Sequence, residues 1–322
     1  MHIPDGMLSP SVVVATGVVA AAGFLVGVRG LERRLRDRTT VLMGTMAAFI
    51  FAAQMVKFPV GPGVAGHLMG GTLAAVLLGP WAGAVVIGAV LIVQCFLFGD
   101  GGLMALGANF INMGLIGAVG GYAIYAPIRR AIGGQRGVLL GAIVAAWFTV
   151  LLGAGAFAIE LAASGFGKFP MVLGWMALVH AAVGVGEALI TGLVLRFLLL
   201  TRPDLIQDAE PVPASKTIRW GQVAAAGLIV ALSVAVFLGP LALLWDRPDG
   251  LEFVMERLGL GEGGSSPLPS PIPDYQMPGL QHVQAATAAA GLVGTLVVFV
   301  IGLTLARAFA RGVPEGVRPD VA

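Results

Sequence analysis

The sequence predicts an all-α fold, a polytopic membrane helix bundle of about seven transmembrane segments followed by a C-terminal two-helix membrane module. Composition carries the first part of this. Of 322 residues 57% are hydrophobic and 11% charged, whereas a soluble domain carries about a quarter charged residues. Mean hydropathy is +0.93. The second observation is recurrence. Nine apolar segments run at about 9–28, 40–57, 67–79, 81–98, 104–127, 137–162, 171–199, 220–245 and 283–306. Most reach the roughly 20 residues that a helix needs to cross hydrocarbon. The third is too short, and reads as tilted or re-entrant.

The third observation is where the cations fall. Fifteen of the nineteen Lys and Arg residues cluster after the first, fifth, seventh and ninth segments. The opposite ends hold only Lys57, Lys168, Arg247 and Arg257. The positive side faces the cytoplasm. The expectation is therefore a multi-pass protein of the cytoplasmic (inner) membrane, N-terminus outside and C-terminus cytoplasmic.

Domain organisation follows from the polar breaks. Residues 1–200 form the bundle. Residues 201–217 read as a cytoplasmic linker with Pro203, Pro211 and Pro213. Residues 218–322 form the two-helix module, with an outer loop at 246–282. That loop carries Asp246, Asp249, Glu252, Glu256, Glu262 and Asp274, and a short helix is expected at 251–258. The net charge of +2 is too small to argue for nucleic acid. The 48 glycines suit close helix packing in a bilayer. Cys95 is the single cysteine, so no internal disulfide forms. The start, Met1 to Gly6, is polar and turn-forming, unlike a signal peptide.

Chemistry can rest on few residues. There are four histidines: His2, His67, His180 and His282. The topology puts His2 and His67 on one face. A free α-amine on Met1, the amide nitrogen of His2 and its imidazole Nδ1 can close two fused chelate rings. A fourth nitrogen, from His67, would complete a square, which suits Ni(II) or Cu(II) better than Zn(II) or Mg(II). Metal would displace the amide proton, so binding should weaken at low pH. The alternative is that His2 is a solvated terminal residue. Gln94, Asn109 and Asn112 sit at the outer ends of the fourth and fifth segments. They read either as outer hydrogen-bond partners that orient His67 and the N-terminal strand, or as helix–helix contacts. His180 and Glu187 lie seven apart on one apolar helix and are expected to pair. No GxxxxGK[ST] and no HExxH is present, so neither ATP hydrolysis nor zinc proteolysis has its motif.

The motifs resemble a known family. Met1–Gly6 (MHIPDG), His67–Leu73 (HLMGGTL), Leu78–Trp81, Gln94–Gly102 (QCFLFGDGG), Ala105–Asn109, Asn112–Gly114 and Glu187–Gly192 are similar to the CbiM/NikM family. These are the substrate-specific (S) components of energy-coupling-factor (ECF) cobalt and nickel transporters. The likeness spans nearly all of residues 1–200. Pro248–Glu252 (PDGLE) with Pro273–Tyr275 resembles the partner subunit of the NikN type, here fused. The resemblance implies transported Ni(II) or Co(II) held by Met1 N, His2 N, His2 Nδ1 and His67 Nε2, and no organic cofactor. It implies partner ATPase subunits and a transmembrane coupling (T) subunit in the lipid bilayer, with no nucleic acid. The fused tail points to nickel, with cobalt as the alternative. A membrane-embedded metal enzyme or metallochaperone is the competing class. One departure stands out: hydroxyl residues often precede the family's second histidine, where this chain has Val64–Ala65.

Overall fold

The computed structural model describes residues 2–32, 37–207, 219–245, 247–261, 263–264 and 266–310. Met1, Arg33, Arg34, Arg36, most of the predicted linker including Pro211, Pro213 and Lys216, Asp246, Glu262, Arg311 and Arg318 lie outside that set. Seven described helices are long and apolar enough to span a bilayer. They are α1 (Pro10–Glu32), α4 (Pro80–Phe98), α5 (Leu106–Ile132), α6 (Gly134–Ala163), α7 (Phe169–Thr201), α8 (Trp220–Leu244) and α10 (Val283–Ala310).

Two of the nine apolar segments fall outside those seven. The second forms α2 (Asp37–Gln54), 18 residues long, whose first turn is polar. The third is interrupted, because His67–Gly70 is unwound and only α3 (Gly71–Leu78) is helical. Gly70 adopts φ 76°, a left-handed conformation that glycine takes at little cost. The unwound amides need acceptors in an apolar setting, and Glu187 supplies them.

Helix α4 is the most buried of the seven. Around it pack α1, α2, α5 and α10, while α6 and α7 form an adjacent antiparallel pair. Small residues permit the closest approaches. A Cβ on Gly71 would stand 2.7 Å from the carbonyl carbon of Gly117, so α3 lies directly against α5. In the C-terminal module, α8 and α10 both pack on α2. A Cβ on Gly302 of α10 would meet the Cα of Gly44 at 3.0 Å.

Among the described residues the fold is all-α apart from one hairpin. Residues expected as a loop form β1 (Phe58–Gly61) and β2 (Val64–Gly66), paired antiparallel. β2 ends one residue before His67. Its Ala65 N–H donates to the Pro248 carbonyl at 3.0 Å, so the backbone of the Val64–Ala65 pair is tied to the C-terminal module. The short helix expected at 251–258 is α9 (Gly250–Leu258). Asp249 accepts from the Leu251 and Glu252 amides, and Glu252 accepts from the Asp249 amide. This capping box explains why a PDGLE run starts a helix.

Candidate metal centre

The N-terminal strand reaches the outer end of the bundle and is held there by three sets of hydrogen bonds. Asn109 Oδ1 accepts from Ile3 N at 2.8 Å, and its Nδ2 donates to Ile3 O at 3.1 Å. Gly102 N donates to Ile3 O at 2.7 Å. The Asp5 carboxylate accepts from Leu103 N at 3.0 Å and Met104 N at 2.8 Å. Ile3 and Asp5 are buried as a result. Glycine at 102 is required for this approach, since a Cβ there would overlap Asp5 N and stand 2.7 Å from the Pro4 carbonyl carbon.

This seating brings His2 over His67. The two imidazoles stack, with centroids 5.4 Å apart and planes 18° apart. The hydrogen-bond network then decides which nitrogens carry protons. The Met69 carbonyl can only accept, so Gln54 presents Nε2 to it, at 2.9 Å. Gln54 Oε1 therefore accepts from Gln94 Nε2, at 2.8 Å. Gln94 Oε1 is left facing His2 Nε2 at 3.1 Å, and that contact requires an N–H on Nε2. In a neutral ring Nδ1 then bears the lone pair. Likewise His67 Nδ1 donates to the Leu68 carbonyl at 3.0 Å, which leaves Nε2 as the ring nitrogen that faces the centre.

A carboxylate faces each of those two nitrogens. Asp100 Oδ1 lies 3.2 Å from His2 Nδ1, and Asp249 Oδ2 lies 3.6 Å from His67 Nε2. Burial pushes the His2 imidazole down to about 4, against the opposing charge of Asp100. The ring is therefore neutral near pH 7 and has one N–H for two facing acceptors. The Nδ1–Asp100 contact is acceptor against acceptor, a place that a cation would relieve. Among the described residues no three His, Cys, Asp or Glu side chains gather as a metal site. A centre built on His2 and His67 thus needs main-chain donors.

The remaining sequence candidates divide. Gln94 touches His2 and Asn109 holds Ile3, as above. Asn112 does neither; its Nδ2 donates to Glu160 Oε2 at 2.9 Å, inside the bundle. His180 and Glu187 do not bond to each other. His180 Nδ1 donates to the Met176 carbonyl at 2.9 Å, one turn back on its own helix. Its ring lines a cavity of about 10 Å³, room for about one water, together with His67, Met69 and Asp249. Glu187 accepts from Met69 N at 2.6 Å and Gly70 N at 2.8 Å, and so fixes the unwound stretch that bears His67. His282 is exposed and caps the start of α10. Met1 lies outside the described residues. Asp5, Gln54, Asp100 and Tyr275 complete the network and carry no role in the sequence reading. Asp5, Asp100 and Tyr275 sit inside the motifs MHIPDG, QCFLFGDGG and PDY. Gln54 offered only its polarity at the end of an apolar run.

Glu187→Ala is expected to leave two buried N–H groups without acceptors, at about 1–3 kcal/mol each. Because His67 lies two residues before the first of them, the affinity of any metal held by His67 should also fall about 10-fold. Thermal melts and Ni(II) titration in detergent check both, and Glu187→Gln should recover part of each.

Comparison with known proteins agrees with this architecture. Residues 2–205 match the family described as CbiM, cobalt uptake substrate-specific transmembrane region. The chain belongs to the CbiM family. Residues 221–311 match the PDGLE domain. A protein of Archaeoglobus fulgidus named as a putative fused nickel transport protein NikMN is 36% identical, over 97% of this chain and 99% of that one. The fused nickel transport protein NikMN of Rhodobacter capsulatus is 30% identical over 94% and 97%. The cobalt transport protein CbiM of Streptomyces coelicolor is 34% identical over 62% of this chain and 88% of its own. A crystal structure of a truncated transition metal transporter superposes with a TM-score of 0.56 at 32% identity. It covers 62% of this chain and 99% of that one. The CbiM-family chain is a transport protein rather than an enzyme, a multi-pass membrane component with an appended PDGLE domain.

Proposed function

We propose that this CbiM-family chain is the metal-binding S component of an ECF importer for Ni(II). The metal is cargo, held by the Met1 α-amine, the His2 amide nitrogen, His2 Nδ1 and His67 Nε2. The observation that carries the reading is the tautomer chain. Gln54, Gln94 and the Leu68 carbonyl engage His2 Nε2 and His67 Nδ1, so the nitrogens turned to the centre are His2 Nδ1 and His67 Nε2, the two this donor set requires. The stacked rings and the strand bonds at Ile3 and Asp5 support it, since a chelate gains from donors already held in place. Asp100 and Asp249 would offset the charge of a divalent ion. Residues 1–200 act as the binding bundle, 201–217 as a cytoplasmic linker and 218–322 as the attached module. The N-terminus is outside the cytoplasmic membrane, from the arginine asymmetry. ATP hydrolysis belongs to separate ATPase subunits acting through a T subunit. The same role for Co(II) is the alternative. The fused relatives named for nickel, together with a square of nitrogen donors, favour Ni(II).

A competition titration of Ni(II) against Co(II) on purified protein tests the reading. Ni(II) is expected to bind one per chain, at least about 10-fold more tightly, a difference of ~1.4 kcal/mol. The complex should be yellow and diamagnetic, because in-plane nitrogens with a deprotonated amide give a strong field. A paramagnetic, six-coordinate nickel with oxygen ligands would overturn the donor set. Preference for Co(II) would replace the cargo and keep the site.

A further inference from the structure

We propose that Tyr275, in the C-terminal module, is a positioning residue for His2, so that the PDGLE domain completes the metal centre of the bundle. The proposal rests on the reading of His2 as a metal donor.

The first observation is where the tyrosine hydroxyl sits. It donates to Asp100 Oδ2 at 2.6 Å and accepts from Gln94 Nε2 at 3.2 Å. These are the two residues that face the His2 ring, one at each nitrogen: Asp100 Oδ1 at Nδ1, 3.2 Å, and Gln94 Oε1 at Nε2, 3.1 Å. One hydroxyl thus fixes both. Its proton holds the Asp100 carboxylate in rotation. Its lone pair accepts from the same Nε2 that Gln54 Oε1 accepts from, and so reinforces the orientation of Gln94 that turns Oε1, and not Nε2, towards His2. That choice keeps the N–H on His2 Nε2 and the lone pair on Nδ1.

The second observation is how the tyrosine is held. Asp274 at φ 53° and Tyr275 at φ 57° are the only described non-glycine residues with positive φ. Such a backbone is disfavoured for any residue with a Cβ and persists only where its surroundings impose it. Here the Tyr275 ring stacks on Phe98, centroids 4.6 Å apart and planes 13° apart. Ile272 N donates to the Leu97 carbonyl at 2.9 Å and anchors the turn to the end of α4. The strained turn aims one hydroxyl at the His2 partners. Nothing in packing alone asks for that, since a phenylalanine would stack as well.

The test compares full-length wild type, Tyr275→Phe, Ile272→Ala and His2→Ala, titrated with NiCl2 by calorimetry and followed by visible absorption. Tyr275→Phe keeps the ring stack and removes only the hydroxyl. It is expected to weaken Ni(II) binding about 10- to 100-fold, the range for outer partners of a metal ligand, and to shift the d–d band. Ile272→Ala removes packing of the same turn and keeps the hydroxyl. It should bind Ni(II) within about threefold of wild type, well under the tenfold of 1.4 kcal/mol. Wild-type affinity and an unshifted band in Tyr275→Phe would overturn the proposal and leave the metal site standing. So would an Ile272→Ala protein as weak as Tyr275→Phe, because the turn would then act through docking alone. A His2→Ala protein that binds Ni(II) like wild type would overturn the reading of His2 itself.

Discussion

Ni(II) binding is expected to fall at least about 1,000-fold, ~4 kcal/mol, in His2→Ala and in His67→Ala. A single residue added before Met1 should do the same. The ring sizes of the proposed chelate need an α-amine one residue ahead of His2, so an extension removes a donor without touching a side chain. The two histidines differ in what else they do. His2 Nε2 engages Gln94, and His67 Nδ1 engages the Leu68 carbonyl. Neither contact ties together the membrane helices, so the apo melting temperature should change little in either variant. Calorimetric titration of each purified protein, beside its thermal melt, is the check. An extended N-terminus that binds Ni(II) as tightly as the native one would falsify the four-nitrogen site.

Gly102→Val is expected to remove binding almost as completely, about 100-fold or more, though residue 102 is no ligand. Any Cβ there overlaps Asp5 N and crowds Asp5 Oδ1 at 2.6 Å. These neighbours are backbone and a carboxylate that already accepts two amides, so neither can yield cheaply. The strand must lift, which breaks the Gly102–Ile3 bond and loosens the Asp5 and Asn109 anchors. Losing the ~10²-fold contribution of a preorganised ligand frame is the scale of outer-partner effects around metals. Gly174→Ala is the control, because a Cβ at 174 meets nothing within 4 Å. It should bind normally and melt the same or slightly higher, Ala being the better helix former by about 0.5–1 kcal/mol. Normal Ni(II) affinity in Gly102→Val would show that the strand is not what positions His2.

Much of the proposed site is readable in the one-dimensional sequence, and the unread part has a common cause. His2 and His67 stand out because ionisable residues are rare here and the topology puts both on one face. Gln94 and Asn109 stand out as polar residues at helix ends beside glycine turns. Asn112 has the same appearance and a different role: three residues beyond Asn109, it points to Glu160 on α6 rather than to the strand. Spacing on one helix cannot reveal which neighbour another helix presents. The expected His180–Glu187 pair fails for the same reason. The two share a face by periodicity, yet the unwound amides of Met69 and Gly70 claim the carboxylate.

Composition, the periodic return of apolar runs and the placement of arginines were sufficient to establish a helical membrane protein with a two-helix appendage. Those features reflect the bilayer as solvent, which acts on each segment separately and so leaves its mark locally. The capped start of α9 is local too, since Asp249 and Glu252 cap their own helix. The tertiary structure decided what depends on distant residues meeting. It stacked His2 on His67 across 65 positions of sequence, set the protons of both rings through Gln54, Gln94 and Leu68, and seated Asp249 and Tyr275 of the appended domain against the bundle's histidine centre. A carboxylate or hydroxyl becomes part of a site only by the direction in which it is held, and that direction comes from packing between helices that the sequence keeps far apart.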